Sequence, residues 1–202
     1  MNPFKNANRS FSTPEFVTLV EQLVAEGKTT GEQTQDHIDF TKLNLQRMSR
    51  WTKTFEVSNE LKELLQFSPK QTWWLITEAW CGDSAQITIP ISKMADASGG
   101  NISFRMILRD ENPEIMDAYL TNGSRSVPKL VAFDELDHEL FQWGPRPQFL
   151  VQMVKDWKAN PGDKPFDEVK KDMHLWYARD KAIQLSGEIA ALLQQISLEK
   201  TA

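Results

Sequence analysis

The stretch 73–86 constrains the fold of this chain more than any other part of the sequence. It begins with apolar, β-favouring residues, reaches the only cysteine, Cys81, and continues through a glycine and an aspartate into helical spacing. This pattern predicts a strand, a turn and a helix, with the thiol at their junction. A helix N-terminus carries unpaired N–H groups and a partial positive charge, so it favours an anion. We therefore expect the thiol to be partly ionised, and the thiolate is its reactive form.

The hydrophobic pattern predicts an α/β chain with helices at both ends. Three helices are expected before the strand, and from there the order β, α, β, α, β, β, α runs to about residue 157, with the last two strands joined as a hairpin. After a hinge at 160–162, one long helix is expected over 165–199, with a bend at Gly187. Its apolar stripes either wrap on the core or face a partner, and wrapping is favoured. The predicted strands are 72–77, 102–108, 129–133 and 138–142.

Two short motifs resemble the active site of thioredoxin-like proteins. Trp80-Cys81-Gly82-Asp83-Ser84 resembles their Trp-Cys-x-x-Cys motif, with serine in place of the second cysteine. Ser126-Val127-Pro128-Lys129-Leu130 resembles the loop that carries a cis-proline beside the cysteine in this superfamily. The sequence is most similar to a bacterial thioredoxin-like subfamily with a helical N-terminal extension and a Trp-Cys-Gly-Asp site, over roughly residues 10 to 155. Segments that carry this similarity also include 26–31, 42–44, 46–48, 108–113 and 143–147.

This resemblance implies a thioredoxin fold, which is a central mixed sheet flanked by helices. To that core the sequence adds an N-terminal helical extension and a long C-terminal helix. We expect one domain over residues 1–202. It would consist of the extension 1–69, the thioredoxin core 70–158 and the C-terminal helix 159–202.

The resemblance assigns Cys81 as the nucleophile of thiol-disulfide exchange. Trp80 and the Val127–Pro128 loop would shape the groove that accepts a disulfide, and Gly82, Asp83 and Ser84 would complete the site. Simpler interpretations stay open, because lone cysteines are commonly buried structural thiols and prolines commonly begin strands. Cis geometry at Pro128 rests on the resemblance, since cis prolyl bonds are a small minority in folded proteins.

Asp83 and Ser84 limit the chemistry that such a site can perform. In a dithiol site the second cysteine attacks the mixed disulfide, which a serine cannot do. The reaction would therefore stop at a mixed disulfide until an outside thiol resolves it. Asp83 is favourable at a helix N-terminus, yet it repels the thiolate and raises the cysteine pKa, so the sign of the net shift is open. Glu78 is a candidate base, or a solvated loop carboxylate.

The resemblance also places a buried aspartate and a lysine under the active site, and this chain departs from it there. Leu75 stands at the aspartate position and Met106 at the lysine position. The usual proton relay is missing, which puts efficient disulfide reduction in doubt. Two functions follow: monothiol exchange through a mixed disulfide, or a redox-inert thioredoxin-fold module that binds a protein partner.

The composition of the chain limits the classes of molecule that we expect it to bind. The formal net charge of −5 argues against general nucleic-acid binding, and no stretch is long and apolar enough to cross a membrane. We expect no cofactor, and no metal site because the three histidines have no ligand spacing. One cysteine and the lack of an apolar leader favour the cytoplasm. The expected partner is a disulfide-containing protein or a low-molecular-weight thiol, and the oligomeric state is open. Four cations could bind the carboxylate of a small anionic thiol: Arg109, Arg125, Lys129 and Arg146.

Overall fold

The computed structural model describes residues 2–199, and its N-terminal part is helical. A short 3-10 helix at Pro3–Asn6 precedes three α-helices. Ser12 and Glu15 form a capping box at the start of the first helix, and Gly27 ends it with a left-handed φ of 66°. The three helices are α1, Thr13–Glu26; α2, Gln35–Thr54; and α3, Asn59–Phe67.

The centre of the molecule is a four-stranded mixed sheet in the order β2-β1-β3-β4. Strand β1 lies between a parallel neighbour, β2, and an antiparallel neighbour, β3, and β3 forms the predicted hairpin with β4. The chain therefore presents β1 as a buried central strand that ends next to Cys81. The strands are β1, Gln71–Thr77; β2, Ile102–Leu108; β3, Lys129–Asp134; and β4, Glu139–Trp143.

Three helices connect or follow these strands. Helix α4 (Gly82–Ala97) begins directly after Cys81 and contains Pro90. Helix α5 (Pro113–Ala118) is short, and the chain turns after it at 121–124. Helix α6 (Gln148–Ala159) follows the hairpin.

Side chains of β1 alternate between two hydrophobic cores, one on each face of the sheet. Trp73 and Leu75 face the larger core, which the N-terminal helices, α4 and the C-terminal helices cover. Ile76 faces the smaller core, which also contains Cys81 and Val127. The thiol is therefore part of a packed apolar cluster.

The C-terminal segment is helical, as predicted, but it is two helices. Helix α7 spans Phe166–Asp180 and helix α8 spans Ile183–Glu199. The expectation of one helix bent at Gly187 is wrong: the break falls at Lys181 and Ala182, whose φ angles of 55° and 62° are left-handed. Helix α8 is wrapped on the core, where it buries one apolar stripe. That stripe consists of Leu185, Ile189, Leu193 and Ile196.

The α/β class, the mixed sheet and the order of its elements are confirmed. Residues 200–202 of the predicted C-terminal segment lie outside the described residues. Within 2–199, none of the helices combines the length and the apolar character needed to cross a membrane.

Candidate functional site

Backbone groups from two distant segments hold the sulfur of Cys81. Cys81 caps α4, so the Ser84 N–H points at its Sγ over 3.5 Å. The thiol donates to the carbonyl oxygen of Val127 at 3.3 Å, across 46 residues of sequence. Cys81 is 7% exposed. The structure thus brings together the strand-to-helix junction and the proline loop that the two motifs indicated.

The Cys81 thiol is protonated at neutral pH. Burial, followed by repulsion from Asp83, raises its pKa from 9.0 to about 11. Hydrogen bonds from Ser84 and from the backbone of Asp83 lower the pKa, but they are outweighed. At pH 7 about one thiol in ten thousand is then ionised. The expectation of a partly ionised thiol is therefore wrong for this conformation, because desolvation exceeds the effect of the helix N-terminus.

Asp83 joins three parts of the chain beside the thiol. Its side chain is buried, and its Oδ2 pairs with Nη2 of Arg146 at 2.7 Å. The hydroxyl of Tyr177 donates to its Oδ1 at 2.9 Å. Burial raises the pKa of Asp83, and Arg146 and Tyr177 oppose that rise. Because Arg146 precedes α6 and Tyr177 lies on α7, the carboxylate ties both segments to the first turn of α4.

Helix α7 lies against Gly82, the residue after the cysteine. A Cβ on Gly82 would come within 2.7 Å of His174 Cε1 and 3.3 Å of Arg47 Nη1. Nδ1 of His174 is 3.3 Å from the side-chain nitrogen of Gln86. Burial, followed by the charge of Arg47, lowers the pKa of His174 to about 4, so the ring is neutral. Glycine at position 82 thus permits the close approach of α7.

Trp80 forms one wall beside the cysteine. Its ring stacks on His37 of α2, with centroids 4.5 Å apart and planes 9° from parallel. The guanidinium of Arg109 lies over the ring, 4.8 Å from its centroid. The N-terminal extension and the loop after β2 therefore enclose this half-buried aromatic residue.

The Val127–Pro128 loop contacts the sulfur through the Val127 carbonyl oxygen. Its peptide bond is cis, and both residues are buried. Gly144 lies against this loop with a φ of 117°, and a Cβ there would collide with the Pro128 carbonyl oxygen. The loop therefore depends on a glycine at the end of β4.

The carboxylate of Glu78, the candidate base, is hydrogen-bonded to groups other than the thiol. It is 1% exposed, accepts a hydrogen bond from the Thr30 hydroxyl, and accepts another from the Asp110 N–H at 2.9 Å. Burial is the main cause that raises its pKa to about 7. Among the described residues no hydrogen bond joins this carboxylate to Cys81 Sγ. It connects the extension to the end of β2.

The region under the site is apolar, as expected from the two residues that replace the buried aspartate and lysine. Leu75 and Met106 are fully buried and face each other in the register of β1 and β2. Neither can transfer a proton. Among residues 2–199, no three His, Cys, Asp or Glu side chains form a group suited to a metal ion.

The four predicted cationic residues have different surroundings. Arg146 and Arg109 lie at the site, against Asp83 and Trp80. Arg125 instead pairs with Asp117 at 2.6 Å on the surface. Burial lowers the pKa of Lys129 at the start of β3.

The motifs did not point to several residues that build the site. His174 and Tyr177 come from α7, whose sequence contains no recognisable motif. Asn44 of α2 donates to the Ala79 carbonyl at 2.8 Å, and Arg47 donates to Asn44 Oδ1 at 2.7 Å. Asn44 and Arg47 do lie in the segments 42–44 and 46–48, so the resemblance there was their one signal.

Comparison with known proteins gives a family match and a fold likeness. Residues 31–158 match the family described as Thioredoxin, so the match includes α2 and α3 as well as the sheet. A Pseudomonas aeruginosa protein of unknown function is similar in structure, with 15% identity, a TM-score of 0.56, and coverage of 92% of this chain and 98% of that one. An HIV epitope scaffold shows 15% identity, a TM-score of 0.53, and coverage of 87% and 97%. None of the curated proteins matches the sequence.

Glu78 makes the stability of the protein depend on pH. Its pKa is raised from 4.5 to about 7, so the folded chain binds its proton more tightly than the unfolded chain. The free energy of unfolding should therefore fall as the pH rises through this window, by roughly 3 kcal/mol. Glu78→Gln should remove this contribution while other carboxyl groups titrate as before. Urea unfolding of both proteins on either side of the window measures it, and identical pH profiles would contradict the assignment.

The contact between Gly82 and α7 predicts a coupled effect on stability. Gly82→Ala should cost about 2 kcal/mol of unfolding free energy, because the added methyl meets His174. In a His174→Ala background the same change should cost less than half as much. Gly187→Ala is the control: a Cβ there meets nothing within 4 Å, so it should stabilise α8 slightly. Equal costs of Gly82→Ala in both backgrounds would show that α7 does not press on this residue.

Proposed function

Because this chain belongs to the thioredoxin family, we propose that it performs thiol-disulfide exchange through Cys81 alone, by way of a mixed disulfide. The observation that carries the proposal is the hydrogen bond from Cys81 Sγ to the Val127 carbonyl oxygen. It joins the one sulfur to the Val127–Pro128 loop, and Trp80 is the residue before Cys81. These are the residues that the resemblance associates with disulfide binding.

Cys81 carries out a single thiol-disulfide exchange. The Cys81 thiol loses its proton, and the thiolate attacks one sulfur of a disulfide. A new sulfur–sulfur bond forms to Cys81, and the other half of the disulfide leaves as a thiolate that takes up a proton. Ser84 cannot attack the product, so an outside thiol regenerates Cys81.

Burial and the raised pKa of Cys81 make this exchange slow in both directions. Thiolate at Cys81 is about a hundredfold less abundant at neutral pH than for a cysteine of pKa 9.0. A thiol of high pKa is also a poor leaving group, so the mixed disulfide releases Cys81 slowly. With Leu75 and Met106 under the site, no relay accelerates proton transfer. The proposed activity is therefore capture of a thiol group and its retention, and not rapid reduction of disulfides.

A second candidate function is a redox-inert module that binds a protein. The observation that favours it is the cover over the site, where α7 lies on Gly82 and the sulfur is buried. In that case Cys81 would be a structural thiol of the smaller core. The two candidates differ in whether the native chain forms a mixed disulfide at all.

We propose that the exchange takes place in the cytoplasm, which is a reducing compartment, because a chain with one cysteine cannot form an intramolecular disulfide. The Trp-Cys-Gly-Asp corner and the contacts of Asn44 and Arg47 with it support membership of the bacterial subfamily that has a helical extension.

Intact-protein mass spectrometry tests the proposed function. Native protein incubated with bis(2-hydroxyethyl) disulfide should gain one adduct that dithiothreitol removes, and Cys81→Ser protein should gain none. The native rate should be at least roughly tenfold below that of the urea-unfolded chain, since lost ionisation outweighs the greater nucleophilicity of a high-pKa thiolate. An adduct that forms only in urea would contradict exchange and favour the binding module.

A further inference from the structure

Arg47 lies beside the reactive corner without an anionic partner. Its guanidinium is next to Gly82, and its one hydrogen bond within residues 2–199 is to the neutral Asn44 side chain. No carboxylate of the described residues lies within salt-bridge distance of it. Burial, followed by the charge of Arg50, lowers the pKa of Arg47. A half-buried cation in this state gains free energy when an anion comes close.

The nearest acidic group is already occupied. Asp83 gives its two oxygens to Arg146 and Tyr177. The Nε of Arg146 is buried and has no hydrogen-bond partner among residues 2–199. The corner therefore holds donors in excess of acceptors.

The local charge is opposite in sign to the charge of the whole chain. His174, which faces Gly82, feels the positive charges of Arg47, Arg50, Arg146 and Lys170. Lys170 pairs with Asp167, but for Arg47 and Arg50 no ion pair is present in the described part of the chain. The chain as a whole carries −5. A positive corner on an acidic protein attracts small anions over the range of the Debye length.

The surroundings of the sulfur favour a small molecule over a folded protein. Residues on both sides of Cys81 in sequence are in contact with two helices. Helix α2 contacts Ala79 and Gly82 through Asn44 and Arg47, and α7 contacts Gly82 and Asp83 through His174 and Tyr177. Trp80, whose ring would form an open platform, is covered by His37 and Arg109. A large substrate would have to displace these contacts.

We infer that the disulfide that reacts with Cys81 is a low-molecular-weight one that carries a carboxylate, and that Arg47 binds this carboxylate. The inference rests on the proposed function. In the reaction the Cys81 thiol and the disulfide exchange, so that one acid-bearing half becomes bonded to Cys81 and the other leaves as a free thiol. Arg47 neutralises the bound acid during the attack and in the mixed disulfide.

A pair of small disulfides of similar size tests the inference. 3,3′-Dithiodipropionate carries carboxylates, and bis(2-hydroxyethyl) disulfide is neutral. For each disulfide, the rate of adduct formation with native protein is divided by the rate with the urea-unfolded chain. This corrected rate removes the difference in intrinsic reactivity between the two disulfides. The corrected rate should be about tenfold higher for the acid at low ionic strength, and added salt should reduce this preference.

Variants then assign the preference to Arg47. Arg47→Gln should bring the ratio of the two corrected rates close to one, and a cooperative urea-unfolding transition of the variant shows that it is folded. Arg47→Lys should restore most of the preference, because it restores the charge. Arg9→Gln removes an exposed arginine from the N-terminal segment and should leave the ratio unchanged.

The outcomes separate this inference from the proposed function. If native protein forms adducts with both disulfides at equal corrected rates, or if Arg47→Gln keeps the preference, the inference is overturned and exchange stands. If native protein forms no adduct with either disulfide, the proposed function fails and the inference fails with it.

Discussion

The structure around Cys81 depends on one buried carboxylate. Asp83 lies in the first turn of α4 and holds Arg146 and Tyr177 through both oxygens. An isolated carboxylate could not be buried there, since the desolvation of an unpaired charge costs several kcal/mol. Helix α4, the segment after the hairpin and α7 therefore meet at this point. The same contacts close the corner over Cys81.

This arrangement reverses the expected chemistry of a thiol at a helix N-terminus. The helix end favours a thiolate by about 0.3–1 kcal/mol. The pKa of Cys81 is nevertheless raised from 9.0 to about 11, which corresponds to about 3 kcal/mol in favour of the neutral thiol. Desolvation and the nearby carboxylate together exceed the helix effect severalfold. A chain of the thioredoxin family thus holds its cysteine as a buried, neutral thiol. In our proposal, the positive charge of Arg47 supplies the preference for an anionic reactant.

Local patterns in the sequence predicted much of the fold. The β-favouring run that leads to Cys81 and the hairpin are each marked by residues close together in sequence, and both are confirmed. The resemblance aligned Leu75 and Met106 with two partnered positions on adjacent strands, and they do pair in the register of β1 and β2. The break at Lys181 and Ala182 was not, since neither residue type favours a left-handed conformation. Ala182 is buried in the larger core, a tertiary environment that the local sequence does not reveal.

The properties of the site were harder to predict because they arise from contacts across the chain. His174 and Tyr177 reach the first turn of α4 over more than 80 residues, and no sequence pattern marks them. The sequence showed that the helix N-terminus and Asp83 shift the pKa of Cys81 in opposite directions. The sign of the net shift depends on how deeply the thiol is buried, which the sequence does not state.

The direct measurement of the pKa of Cys81 is the ultraviolet absorbance of the thiolate against pH in native protein, with the absorbance of Cys81→Ser protein subtracted. Our account predicts a midpoint near 11 that moves toward 9.0 in Asp83→Asn. A midpoint at or below 9.0 in the native protein would contradict it.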